Sequence, residues 1–286
     1  MEASSNWKSV GLVALGALLY STLIIFTRAI QGLEAMQIAF FRAITAFLFF
    51  LFLSIWIREP LRIRQYRKQV PTLIALGLFM ATTASLYIYA IQYTTAGNAA
   101  LLVNTAPIYI AFLAPWLLHE SRPRLGWISL ALVTAGTVLV TGIGRIQIDG
   151  ASLSGVIAGI LSGFTYSFAL MFSRKLSGKV SGFTQTFWSA GMTMLVLLPQ
   201  GLKVPVDVVM TNLPLLFPLG IITLGLSSMT YFIALQKLKA QVVSVVSLLE
   251  PVGGVIIGWV LFHEALTLPA LLGSVLILAG IYLVTR

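Results

Sequence analysis

The sequence predicts an all-α integral membrane protein of ten transmembrane helices, arranged as two inverted five-helix repeats. Three observations carry that expectation. First, 58% of the 286 residues are hydrophobic, only 9% are charged, and the mean hydropathy is +0.97. A soluble domain carries about 25% charged residues, because a water-facing surface has to be solvated. This chain has too few charges to cover itself in water and belongs in lipid. Second, ten apolar stretches approach the roughly 20 residues that a spanning helix needs. Third, the chain repeats its own punctuation at a fixed offset.

In chain order the apolar stretches cover residues 9–27, 38–57, 72–92, 98–118, 125–143, 153–173, 182–199, 213–235, 241–262 and 267–285. The first has full spanning length behind the single Lys8, which predicts a retained helix and not a cleaved signal peptide. Joins such as Tyr93 to Gly97 and Gln236 to Ala240 leave no room for a soluble domain. A β-barrel would instead alternate over segments of about ten residues, and these runs are too long and too uniformly apolar. Gly155, Gly159 and Gly163 form a small-residue face on the sixth span, which predicts close helix packing and no chemistry. The chain has no cysteine, so disulfide and thiol chemistry are absent.

The net charge of +10 reads as a topology signal and not as a nucleic-acid footprint. With a cytoplasmic N-terminus, 14 of the 18 basic residues fall inside, in groups such as Arg58 to Lys68, Arg122 with Arg124, Arg174 with Lys175 and Lys179, and Lys237 with Lys239. Only Arg28, Arg145 and Lys203 fall outside, and Arg42 lies within a span. An excess of this size sets orientation. The expectation is a multi-pass protein of a bacterial-type inner membrane with both termini cytoplasmic.

The punctuation recurs in "APIYIAFLAPWLLHE" (106–120) and "EPVGGVIIGWVLFHE" (250–264). At an offset of 144, Tyr87 meets Tyr231, Gln92 meets Gln236, Pro107 meets Pro251, His119 meets His263 and Glu120 meets Glu264. At an offset of 146, Tyr20-Ser21 meets Tyr166-Ser167 and Arg28 meets Arg174. Apolar matches arise by chance in membrane helices; polar matches in one register do not. The chain therefore reads as a first repeat over 1–145 and a second over 150–286. Five helices per unit is odd, so the second copy enters the membrane from the opposite side. Inverted copies give one fold two nearly equivalent states, each open to one side, which is the physical basis of alternating access.

Two five-helix halves, each with a proline in its fourth helix and a Glu ending it, resemble the drug/metabolite transporter superfamily, EamA type. "SLLEPVGGVIIGWVLFHEALTLPALLGSVLILAGIYLV" carries the similarity best, with "RAITAFLFFLFL" and "AGNAALLVNTAPIYIAFLAPWLLHE" beside it. The resemblance covers essentially the whole chain. It implies ten helices, a central cavity between the halves, and transport of small organic metabolites, most often export. It leaves open an uptake carrier or exchanger for nucleotide-like metabolites or sugars.

Within the spans, Tyr20, Ser21, Tyr87, Tyr89, Gln92, Asn104, Tyr166, Ser167, Trp188 and Tyr231 are the candidate pathway lining, because polar groups avoid lipid. Glu250 is a carboxylate deep in a span, where an ionised group costs at least ~2.5 kcal/mol. Two roles fit it: binding a substrate amine or coupling to protons, or structural satisfaction beside Pro251. Arg42 either snorkels to the headgroups or turns inward to hold an anion with its fork of donors. The repeat sets Trp188 opposite Arg42. Pro107 and Pro251 lie ~18 Å from the helix-ending His-Glu pairs, which predicts mid-helix kinks that free the Val103 and Ser247 carbonyls. They are hinge candidates, and Glu120 and Glu264 are gate candidates.

Two histidines at opposite faces cannot share a metal, and no zinc-protease spacing follows either. No nucleotide motif is present, so neither a cofactor nor ATP coupling is expected. An intramembrane enzyme would cluster ionisable groups at one depth, and this chain spreads them. The expected partners are a small-molecule substrate, protons as a candidate coupling ion, and the lipid bilayer. Monomer and homodimer stay equally open.

Overall fold

The computed structural model describes residues 2–58, 66–94, 96–121, 123–141 and 150–286, all helix and connection with no strand among them. Arg62, Arg64, Arg122, Arg145 and Asp149 lie outside the described residues, as does the expected repeat boundary at 145.

Every predicted apolar run coincides with helix. The first comprises α1 (Glu2–Ser21) and α2 (Leu23–Ala29), followed by α3 (Ala35–Trp56) and α4 (Val70–Tyr93). Next come α5 (Ala96–Val103), α6 (Ala106–Leu117), α7 (Gly126–Thr141), α8 (Gly150–Lys175), α9 (Gly182–Gly201) and α10 (Val206–Leu219). A π-helical stretch (Gly220–Leu226) joins α10 to α11 (Ser227–Ala234), and α12 (Ala240–Val246), α13 (Leu249–Phe262) and α14 (Leu268–Val284) complete the chain. Among the described residues, seven segments are long and apolar enough to cross a membrane, with α7 and α14 as shorter apolar helices. Helix α9 stands apart because its inner face is polar: Thr184, Gln185, Thr186, Ser189 and Thr193 are all buried. Each finds an acceptor or donor close by, as in Thr186 Oγ1 to the Gly182 carbonyl (2.8 Å) and Ser173 Oγ to Gln185 Oε1 (2.6 Å).

The packing follows the repeat. The most extensive helix contacts are α4 on α8, α7 on α14, α3 on α9, α4 on α9 and α1 on α11. Exchanging the halves maps α4–α8 onto α11–α1, and maps α7–α14 and α3–α9 onto themselves. The finest detail obeys the same exchange. A Cβ on Gly136 would stand 2.6 Å from the Gly273 carbonyl oxygen and 2.8 Å from the Ile277 side chain. Its counterpart Gly280 would meet the Ser129 carbonyl oxygen at 2.9 Å and Val133 at 2.5 Å, the positions 144 residues earlier. Ser129 Oγ donates to the Gly280 carbonyl at 2.7 Å. Bare glycines let α7 and α14 touch backbone to backbone, the usual way membrane helices gain van der Waals contact.

The small-residue face of α8 packs as its spacing predicts. A Cβ on Gly159 would strike Leu102, and one on Gly163 would stand 2.7 Å from the Leu102 carbonyl oxygen. That obstacle is backbone and cannot swing aside. Gly163→Ala should therefore destabilise by about 1–3 kcal/mol, read as a lower midpoint in thermal unfolding. Gly254→Ala, with nothing within 4 Å of its new methyl, should not lower it. Equal midpoints for the two variants would refute this account of the α8 contact.

Candidate functional site

The site is assembled where helices break. The prolines are not mid-helix kinks, as the sequence reading expected. The fourth run is interrupted at Asn104-Thr105 and the ninth at Ser247-Leu248, so Pro107 and Pro251 sit in the first turns of α6 and α13. The first turn has no intrahelical acceptor to lose, so proline is tolerated there. The breaks are repeat-related and their side chains bond locally, Thr105 Oγ1 to the Leu102 carbonyl (2.6 Å) and Ser247 Oγ to that of Ser244 (2.8 Å). Each leaves a half-helix whose N-terminus, carrying positive dipole, begins inside the bundle. Glu250 is in the first turn of α13.

Around Glu250 stand the aromatic candidates. Its carboxylate lies within electrostatic range of the Tyr87, Tyr166 and Tyr231 hydroxyls and of Arg42. Tyr20 is within range of the same three tyrosines, and Arg42 Nη1 donates to its hydroxyl at 3.4 Å. So α1, α3, α4, α8, α11 and α13 each contribute one side chain. Arg42 and Glu250 attract each other but form no ion pair; the two ion pairs among the described residues lie elsewhere. Glu250 keeps part of its surface accessible and makes no hydrogen bond through its carboxylate among the described residues. Three further polar atoms are buried without a hydrogen-bond partner: Arg42 Nε, Trp188 Nε1 and the Tyr231 hydroxyl. The Ser227 hydroxyl lies beside that of Tyr231 and itself donates to the Gly16 carbonyl at 2.9 Å. Buried polar groups are otherwise nearly always satisfied.

Other candidates lie apart from the cluster. Ser21 and Ser167 are buried and donate to carbonyls one turn back (Leu18, 2.7 Å; Phe164, 2.6 Å), which is helix packing. Ser21 presses against Gly253, where a Cβ would stand 2.5 Å from its Oγ. Gln92 is exposed at the end of α4, Asn104 sits at the α5–α6 break, and the Tyr89 ring lies against that of Tyr93, centroids 4.3 Å apart and planes tilted by 32°. One contributor carried no sequence signal. A Cβ on Gly220 would overlap Thr45 Oγ1 and stand 2.5 Å from the Arg42 carbonyl oxygen, so the π-helical stretch lies directly against the backbone that carries Arg42. Such bulges recur at functional sites. Two surface grooves, of about 650 and 630 Å³, contain none of the converging groups; the first is lined almost wholly by apolar side chains of α7.

The doubled His-Glu ends each seam between the halves. His119 and His263 both adopt left-handed backbone, φ 53° and 55°. After His263, the Glu264 N–H returns to the Gly258 carbonyl at 3.0 Å, closing the helix end. The glutamates then reach across the repeats to the repeat-related arginines. Glu120 pairs with Arg174 at 2.5 Å and Glu264 with Arg28 at 2.6 Å. The two seams differ in depth. The Glu120–Arg174 side chains are 12% and 23% exposed, the carboxylate also accepts the Ala240 N–H (3.0 Å), and Arg174 donates to the Leu235 carbonyl (2.8 Å). The Arg28–Glu264 side chains are 46% and 50% exposed, with Arg28 resting on the Phe262 ring at 4.2 Å.

Known proteins agree with this architecture. An uncharacterized transporter of Archaeoglobus fulgidus is 29% identical over 281 residues, covering 96% of this chain and 95% of its own. The uncharacterized transporter YoaV of Bacillus subtilis is 23% identical over 242 residues, 82% of each chain. A solved crystal structure superposes with a TM-score of 0.80 at 17% identity over 96% of both chains, which shows the fold. Residues 7–142 and 153–286 each match the same family, one match in each half of the sequence: the chain belongs to the EamA-like transporter family.

Proposed function

We propose that the protein is a ten-span secondary transporter of two inverted repeats, which moves small zwitterionic metabolites, amino acids and related compounds, by alternating access. The observation that carries the substrate class is the pair of opposite charges, Arg42 and Glu250, which form no ion pair with each other. Arg42 comes from the first half and Glu250 from the second, and the repeat gives neither charge a twin: Trp188 stands for Arg42 and Ala106 for Glu250. Charges inside a bilayer are expensive and mark ligand pathways. A ligand with a carboxylate for Arg42 and an ammonium for Glu250 satisfies both at once, with the Trp188 and Tyr231 groups as further polar contacts. The tyrosine walls suit an apolar or aromatic substituent. Export is the direction the family resemblance favours.

The seams supply the gates of this reading. Opening one end requires breaking Glu120–Arg174, and opening the other requires breaking Arg28–Glu264. The deeper network at the first supports a resting state closed there.

The test is counterflow in proteoliposomes loaded with a panel of amino acids, monocarboxylates, amines and sugars. Exchange confined to compounds that carry both charges is the expected result. Exchange of sugars or of singly charged compounds at equal rates would replace the zwitterion reading, and no exchange of any panel member would remove it.

A further inference from the structure

The second surface groove carries chemistry that transport does not use. It lies at the end of the molecule sealed by Glu120 and Arg174, and it straddles the seam. Trp7, Ser121, Pro123 and Arg124 line it from the first half, and Lys237, Lys239, Val242 and Arg286 from the second. Four of its lining residues are basic and none is acidic. Glu120, next to Ser121 in the chain, is engaged by Arg174 and the Ala240 N–H. Lys239 is held by the Ser121 carbonyl and hydroxyl at 2.8 and 2.7 Å, and Arg286 lies 4.5 Å over the Tyr282 ring. Arg124 and Lys237 are exposed and have no partner among the described residues. Each belongs to a different half.

We propose that this groove binds the phosphate of an anionic phospholipid, which bridges Arg124 and Lys237 and clamps the seam shut. Charge alone would suit a soluble phosphate equally well. The remaining walls favour the lipid, because Val10, Val242 and Val284 continue the groove as an apolar surface. Trp7, 56% exposed, stands at its edge, as aromatic side chains do at the headgroup level. An acylated phosphate fills both parts of such a groove; a free anion fills one. By spanning the two halves beside the Glu120–Arg174 network, the bound headgroup stabilises the state closed at this end and makes opening depend on membrane composition. The inference rests on the chain spanning a bilayer and not on which substrate it carries.

Native mass spectrometry and thermal unfolding of the purified full chain test it, with phosphatidylglycerol, phosphatidylcholine or inorganic phosphate added. Phosphatidylglycerol should be retained as a one-to-one adduct and should raise the unfolding midpoint; phosphatidylcholine should do neither. Removing two positive charges in an Arg124→Gln/Lys237→Gln variant should weaken retention about 10-fold or more. An Arg67→Gln/Lys68→Gln variant, which removes two exposed charges outside the groove, should retain the lipid as wild type does. Equal retention of the two lipids, or of phosphatidylglycerol by wild type and the groove variant, would overturn the site. Equal protection by inorganic phosphate would overturn the lipid as its occupant. None of these readouts involves transport, so failure here leaves the zwitterion reading standing.

Discussion

Arg42→Met should reduce zwitterion exchange at least about 100-fold, the loss expected when two charge-assisted hydrogen bonds of about 1.5–3 kcal/mol each are withdrawn from a carboxylate. Arg42→Lys keeps the charge but loses the planar fork, so an intermediate loss of about 10-fold is expected. Glu250→Gln, nearly isosteric, should remove the other half of recognition. Its defect should be confined to substrates bearing an ammonium group, while any residual movement of monocarboxylates stays unchanged. Counterflow rates for matched substrates with and without the amino group measure both effects. A defect of equal size for every substrate would return Arg42 and Glu250 to a purely structural role.

The second large effect is expected at the seams. Breaking a well-connected, mostly buried ion pair by removing one partner costs about 3–5 kcal/mol, whereas an exposed pair is worth about 0–1 kcal/mol. Glu120→Gln should therefore lower the thermal unfolding midpoint by several degrees, and Glu264→Gln should barely move it. The difference should also appear as access. The chain has no cysteine, so a Leu235→Cys substitution introduces a single thiol at a site fully buried behind Arg174. Its alkylation should accelerate at least about 10-fold in the Glu120→Gln background if about 1.4 kcal/mol or more of closure is lost, and it should stay slow in Glu264→Gln. Equal rates in the two backgrounds would refute the unequal gates.

Much of this architecture is legible in the amino acids. Apolar run length places the helices within a few residues, and one register of Gln, Pro, His and Glu reveals the duplication. Arg42, Trp188, Glu250 and the paired tyrosines stand out because a polar group in hydrocarbon needs a reason. What escaped is contact between the copies. The offset that aligns Arg28 with Arg174 and Glu120 with Glu264 compares equivalent positions, so it says nothing of Arg28 meeting Glu264 across the axis. The helix breaks were misplaced for a related reason. A proline announces that a helix is interrupted nearby, but whether it lies within a kink or opens a new helix depends on where the preceding turn ends. The π-helical stretch had no local signature, because Gly220 earns its place through Thr45 and Arg42, some 175 residues distant in the chain.

The one-sided charges bear on why the two copies share one chain. A homodimer of identical halves would carry Arg42 and its twin symmetrically about the axis, and the same for Glu250. A site on a twofold axis presents the same charge from both sides, so it has no direction along which a dipolar ligand could be sorted. Like charges would also repel across the low-dielectric centre. Fusion lifts that constraint: once the halves are covalently joined, each can mutate alone. The position equivalent to the arginine is free to become Trp188, and the one equivalent to the glutamate free to become Ala106. On the proposed reading, covalent duplication is what permits a head and a tail to be told apart in a fold that otherwise looks the same from either side of the membrane.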